Sequence, residues 1–187
     1  FDQLYRAKEG SSQSIARSTA MIKTDMIERN LLERTCDVRW WALEKAFSEC
    51  ITLSNNSTNK DLNAKNKSQS EKQVKTKNHN ADTELKTSVE FACRRLEDIR
   101  NSYTLYRDLV IVNLDGIVVA NSNDKKRNVI IGVEVSDEDW FKKALKTKDG
   151  TEYYVQDISS SILEEVDSLI YSTAIRSNGD EQGEVIG

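Results

Sequence analysis

The sequence predicts an α+β fold: a long amino-terminal helix and a second helix packed on an antiparallel sheet of about five strands, with a short helix among the strands. Three observations carry this. Apolar residues recur at steps of three and four in the first half of the chain, and the period then changes. There is no proline, and six of the seven glycines stand at or after Gly116, which confines turn chemistry to the second half. That half is filled by short runs of Val, Ile and Leu bounded by Asp-Gly and Asn-Gly pairs.

Residues 5–53 read as one helix, rich in Ala, Glu, Arg, Leu and Met and poor in turn residues. Leu32, Cys36, Trp40, Leu43, Phe47 and Cys50 fall on one face by their three- and four-residue spacing. Such a helix spans roughly 70 Å, so it must project beyond a compact domain or pair with another chain. Residues 54–82 are Asn-, Lys- and Ser-rich and cannot bury enough surface to offset chain ordering. They read as a long exposed connection, with 67–75 permitting some helix. The two Asn-x-Ser/Thr sequons there, at Asn56 and Asn66, read as chance in an Asn-rich tract. A second helix begins near Asp82 or Thr83, either of which can cap it. Its stripe of Leu85, Val89, Ala92, Leu96 and Ile99 should pack against the first helix as an antiparallel pair. The expected organisation is therefore a long helix over 1–53, a polar connection over 54–82, and a second helix with its sheet over 83–187.

In the second half, residues 106–113 read as a strand, Asp115-Gly116 as a hairpin turn and 117–120 as the returning strand. Ser136 reads as the N-cap of a short helix over 137–146, with acids in its first turn and lysines in its last. Strands follow over 152–158 and 169–176, and a fifth begins near Glu184, where the carboxyl end reads as a strand cut short.

Composition removes several functions. The 187 residues are 37% apolar and 31% charged, with a net charge of −4. That charge has the wrong sign for a general nucleic-acid binder, so no nucleic-acid partner is expected. No window approaches the ~18 to 20 apolar residues of a membrane span, and no signal peptide is visible at the start. Cys36, Cys50 and Cys93 include no Cys-x-x-Cys pair and read as buried small hydrophobes, with one disulfide and a free thiol as the alternative. His79, the single histidine, lies in the polar tract. A His-centred triad, a multi-histidine metal site and a cofactor are therefore not expected. The chain also lacks a Gly-x-Ser-x-Gly elbow, and no catalytic residues are assigned.

The residues from about Tyr103 to Gly187 resemble the Cache family of extracytoplasmic sensors. The likeness is carried in order by the hairpin over 108–122, centred on Asp115-Gly116 and closing on Asn121-Ser122. Gly132-Val133-Glu134-Val135-Ser136-Asp137-Glu138-Asp139-Trp140-Phe141-Lys142-Lys143-Ala144 follows, then Tyr154-Val155-Gln156-Asp157 and the segments 169–175 and 183–187. The pair Trp40-Trp41 within Asp37-Val38-Arg39-Trp40-Trp41-Ala42 is similar to chemoreceptor sensor regions. The resemblance implies a PAS-like sheet in the ligand-sensing domain of a bacterial transmembrane receptor: a chemoreceptor, a sensor kinase or a cyclic-nucleotide signalling enzyme. It implies a position on the periplasmic or extracellular side of the inner membrane, attached through flanking helices absent from this chain. In the amino-acid-binding subgroup an arginine and a tyrosine stand where this chain has Glu138 and Phe141. A carboxylate at the first position repels a ligand carboxylate. A small polar or cationic metabolite is expected instead, together with weak homodimerisation through the amino-terminal helix.

The candidate ligand-binding residues are Glu138, Trp140, Phe141, Tyr154, Asp157, Tyr171 and Thr173. Trp140 and Phe141 either form an aromatic wall or plug the short helix onto the sheet. Tyr153 and Tyr154 alternate across a strand, so at most one faces a pocket. Asp157 is equally a turn acid, and Asp137, Glu138 and Asp139 are explained by the helix dipole. Glu164, Glu165 and Asp167 read as solvated loop acids, and Lys125-Lys126-Arg127 as a surface turn.

Overall fold

The computed structural model describes the backbone of residues 2–65 and 75–187, and the side chains of 8–57 and 81–187. The chain divides into two compact units, 1–37 and 38–187. The described residues of the first unit, 2–37, are all helical. They belong to helix α1 (Asp2–Ala42) and carry an Arg29–Glu33 ion pair at 3.1 Å and an Arg34–Asp37 pair at 3.2 Å. Ile15, Met21, Ile22, Met26, Ile27, Leu31 and Leu32 are all exposed on it.

The second unit is built from the end of α1, then α2 (Lys45–Lys65), α3 (Lys75–Ser102), β1 (Val110–Val112), β2 (Val118–Asn121), α4 (Arg127–Ile130), α5 (Asp139–Ala144), β3 (Tyr154–Ser161) and β4 (Glu164–Ser172). The single helix expected over 5–53 is thus two. No local breaker explains the interruption. Leu43 and Glu44 close onto the carbonyls of Trp40 and Trp41 at 3.2 and 3.0 Å, three residues back. The distant turn at Gly179 lies against the Leu43 carbonyl. The Glu44 carboxylate is held by Arg95 of α3, with Arg95 Nε donating at 2.9 and 3.2 Å. Tertiary contacts thus converge on the break, and periodicity does not report them.

The helices also run farther into the polar tract than composition suggested: α2 continues to Lys65 and α3 starts at Lys75 rather than near Asp82. With no proline or glycine in the tract, each helix propagates at one hydrogen bond per residue once packing has nucleated it. The 67–74 part of the stretch that read as helix-permitting lies outside the described residues, as does Asn66; the side chain of His79 is likewise not described.

Helices α2 and α3 pack as the expected antiparallel pair. Glu44, just before α2, meets Arg95, while farther along α2 Cys50 meets Ser88. The principal core joins Phe47, Cys50 and Ile51 of α2 to Ala92, Cys93, Leu96 and Ile99 of α3, and to Ile111 and Ala120 of the hairpin. The predicted α3 stripe holds, and the α2 part of the first stripe holds. Its upper part does not: Leu32 and Trp40 are 62% and 78% exposed, and Cys36 is exposed. Trp41, one position along, packs instead. Its ring meets those of Tyr103 and Tyr106 edge-on, at 5.5 and 4.9 Å between centroids.

Cys50 and Cys93 are free thiols buried in this core. Burial pushes the Cys50 thiol up to about 12, with neighbouring Cys93 adding to the shift and a hydrogen bond with Ser88 opposing it. An unfolded thiol ionises near 8.5. Between these values unfolding releases a proton that the native state keeps, so this contribution is intact below about pH 8.5 and is lost as pH rises toward 12. Denaturant titrations from about pH 9 to about pH 10.5 should therefore show stability falling more steeply in the wild type than in Cys50→Ala, by up to about 1.4 kcal/mol per pH unit. Parallel slopes would remove Cys50 as the cause.

The sheet departs from the five-strand expectation. Among the described residues there are two antiparallel pairs, β1 with β2 and β3 with β4. The expected fifth strand is reduced to a bridge between Arg176 and Val185. Ile186 N–H donates to Ile175 at 2.9 Å, and Ile175 N–H to Gly187 at 2.7 Å. The last residues thus follow the chain just after β4 without joining the two pairs into one sheet. The strands also differ in extent. β1 is shorter than read, β2 is shifted by one residue, and β3 and β4 meet in a hairpin at Ser161 and Glu164. Glu164 is consequently no loop acid. It is 12% exposed and pairs with Lys126 at 3.1 Å and Arg107 at 3.7 Å. Lys126 and Arg127 are correspondingly more than a surface turn, since Arg127 opens α4 and pairs with Glu97 of α3 at 3.2 Å.

Candidate functional site

Helix α5 is held against β3 and β4 by two side chains that bond its backbone. Trp140 N–H donates to Gln156 Oε1 at 3.1 Å, and Ser172 Oγ donates to the Trp140 carbonyl at 3.0 Å. Gln156 Nε2 in turn donates to Ser159 Oγ at 2.8 Å, across a register shift in β3. α5 starts later than expected, with Glu138 rather than Ser136 at its N-cap position. Ser136 Oγ donates to Glu134 Oε1 at 2.7 Å, so its hydroxyl is engaged outside the helix. The charge order does match: Asp139 stands in the first turn, and Lys142 and Lys143 in the last.

Opposed residues of an antiparallel pair share a face. Tyr154 opposes Ser172 and Gln156 opposes Ile170, which gives the face toward α5; Val155 opposes Tyr171 on the other. The seven candidate residues therefore divide. Trp140 and Phe141, both 6% exposed, pack in a second core cluster with Val112, Val118, Ile130 and Val135, and Tyr154 packs against it. The two rings meet edge-on at 6.2 Å. Tyr171 lies on the opposite face of the hairpin. Thr173 stands one residue past β4, and its hydroxyl donates to the Glu152 carbonyl at 2.8 Å. Asp157 is exposed within β3, at the register shift, where it accepts from Ile158 N–H at 2.8 Å; it stands neither in a turn nor in the buried cluster. Glu138 is half-buried at the start of α5. Tyr153 is 40% exposed beneath the Arg39 guanidinium at 5.4 Å, so Tyr154 is the tyrosine that turns inward. The structure thus brings together Trp140, Phe141 and Tyr154, and sets Tyr171 and Thr173 apart from them.

One atom in this group stands out. Trp140 Nε1 is buried and has no hydrogen-bond partner. An unmet buried donor costs about 1–3 kcal/mol of desolvation, and such groups are rare enough in folded proteins to require an explanation. The polar side chains nearest the Trp140 backbone are already occupied: Gln156 and Ser172 hold that backbone. Gln156 and Ser172 are also what sequence reading missed. Period-two logic could have found Gln156, two residues along β3 from Tyr154, whereas Ser172 joins that face only through the β3–β4 register.

The small polar pair that ends the first hairpin has a structural use. The Asp108 carboxylate accepts from Leu109 N–H at 2.8 Å, Ser122 Oγ at 2.5 Å and Asn121 Nδ2 at 2.7 Å, and both Asn121 and Ser122 are fully buried. Arg176 ties the carboxyl-terminal turn to the end of α5, with Nη1 donating to Gly183 and Nη2 to Thr147. Asp149 is held below the ordinary carboxylate range, chiefly by its side-chain hydrogen bond with Thr151. A separate open groove of about 1070 Å³ lies between α2 and α3, lined by Ser48, Thr52, Ser88 and Phe91 among others, and contains none of the seven candidates.

Among the described residues no cluster of three or more His, Cys, Asp or Glu side chains could hold a metal ion, and no helix is long and apolar enough to cross a membrane. No family model, no curated protein and no solved structure matches this chain.

Proposed function

We propose that this chain is the ligand-sensing extracytoplasmic domain of a bacterial transmembrane signalling receptor, of the methyl-accepting chemotaxis class, with a Cache-like second half and no catalytic role. The observation that carries the reading is the buried, unpartnered indole N–H of Trp140, on a helix whose backbone is fixed to the β3–β4 hairpin. A binding site needs a few unspent polar groups in an otherwise apolar setting, and that donor meets the description. The ordered motif from Asp115-Gly116 through Trp140-Phe141-Lys142-Lys143-Ala144 adds the class of protein. The domain would sit on the periplasmic or extracellular side of the inner membrane, attached by flanking helices, and bind a small-molecule metabolite without a cofactor.

A second reading is a dimerisation module that senses through a partner protein. It is favoured by the exposed Ile15, Ile22 and Met26, which follow at steps of seven and four on α1. A thermal-shift screen against amines, amino acids, carboxylates, lactams and sugars separates the two. The sensing reading expects a saturable rise in melting temperature with one class, since a ligand bound only by the folded state must stabilise it. A flat response across the panel, with a dimer by light scattering, would favour the second reading.

A further inference from the structure

We infer that the ligand received at Trp140 is an uncharged, largely apolar molecule offering one hydrogen-bond acceptor, such as a lactam, cyclic ketone or ester. The inference rests on the sensing reading and narrows the ligand class. It follows from what surrounds the indole. The cluster that encloses Trp140 consists of Val112, Val118, Ile130, Val135 and Phe141, with Tyr154 among the residues packed against it. None of these carries a charge. The acids proposed from sequence lie elsewhere: Asp157 is exposed, and Glu138 is half-exposed at the N-cap of α5. Gln156, Ser172 and Thr173 have their hydrogen bonds committed to Trp140 N–H and Ser159, the Trp140 carbonyl and the Glu152 carbonyl. Among these residues the one buried side-chain atom left without a partner is Trp140 Nε1.

A cationic ligand would find no counter-charge in this setting, only the weaker attraction of the ring faces, and an indole N–H repels a cation's own donors. An anion would gain one hydrogen bond and lose its hydration, a poor exchange in apolar surroundings. A neutral acceptor loses little on leaving water and satisfies the single unmet group, while its hydrocarbon part matches the valine, isoleucine and phenylalanine side chains.

The test is a thermal-shift titration of the wild type with small lactams, cyclic ketones and methyl esters beside amines, carboxylates and amino acids, repeated on Trp140→Phe. Phenylalanine keeps an aromatic ring and removes the donor. The expected result is stabilisation by the neutral acceptors alone, with apparent affinity weakened about tenfold in the variant. The indole N–H resonances of the wild type give a second readout that does not depend on the variant's folding. There are three tryptophans, with Trp40→Phe and Trp41→Phe available to assign them, and only the Trp140 signal should move. Stabilisation by charged compounds would overturn the inferred class and leave the sensing reading standing. Neutral binding that leaves the Trp140 resonance unmoved would overturn the assigned donor. No response from any class would overturn both.

Discussion

Phe47→Ala should destabilise the protein by about 3–5 kcal/mol, while Trp40→Ala, seven residues earlier in what reads as the same stripe, should change stability by less than about 0.5 kcal/mol. Phe47 is 2% exposed and lies where α2 meets α3, in contact with the cluster of Cys50, Ile51, Ala92, Cys93 and Leu96. Truncation there loses the transfer energy of the ring and leaves a cavity whose walls belong to two helices fixed by other contacts. The neighbouring Cys50, Ile51, Ala92, Cys93 and Leu96 are themselves packed in the same cluster, so collapse into the space is limited. Trp40 is 78% exposed and has little burial to lose. Urea unfolding of the two variants measures both. Equal losses would mean that the helix runs unbroken and that Trp40 packs.

The contrast marks where the sequence was legible. Periodicity identified the α3 stripe from Leu85 to Ile99 because nothing interrupts that helix between them, and each residue advances the same angle about one axis. Applied to Leu32 through Cys50, the same reasoning assumed one axis where there are two. The interruption at Leu43 and Glu44 contains no glycine or proline. Its partners are Arg95 and the turn at Gly179, far away in sequence. Phase therefore held on each side of the break but not across it, which is why Trp41 packs on Tyr103 and Tyr106 while Trp40 is bare.

The candidate site was legible to a similar degree. The Trp140-Phe141 pair at the start of a short helix marked the buried cluster, and alternation reduced Tyr153 and Tyr154 to one inward residue. Which face Tyr171 takes depends on register, and one residue of slip exchanges the two. In the structure Tyr154 opposes Ser172, not Tyr171. The orphaned indole donor had no sequence signal, because an unmet hydrogen bond is a property of the surroundings and not of the residue type.

Gly116→Ala should cost about 3 kcal/mol or more, the second large effect expected of a single substitution. The local sequence explains the smaller part of it. Asp115-Gly116 turns the chain between β1 and β2, and Gly116 takes φ = +79°, in the left-handed region that a Cβ disfavours. Asn113 Oδ1 supports the turn by accepting from Asp115 N–H at 3.1 Å and Ile117 N–H at 2.9 Å. That much alone would predict a penalty near 1 kcal/mol. The remainder is tertiary. Gly116 O accepts from Val135 N–H at 2.7 Å, which draws the segment before α5 onto the hairpin. A Cβ on Gly116 would stand 2.6 Å from Ser136 Cβ, 2.7 Å from Ser136 Cα and 2.8 Å from Ser136 N. Two of those atoms are backbone and cannot rotate away, so relief requires the 134–136 segment to lift and strains the Val135 bond. Val135 is 1% exposed and packs in the cluster with Trp140 and Phe141, so the strain reaches the candidate site. The variant should show lowered stability in urea, together with faster amide exchange at Val135 than the global loss explains. A cost near 1 kcal/mol with Val135 still protected would mean that the turn relaxes locally and that the contact with Ser136 yields without strain.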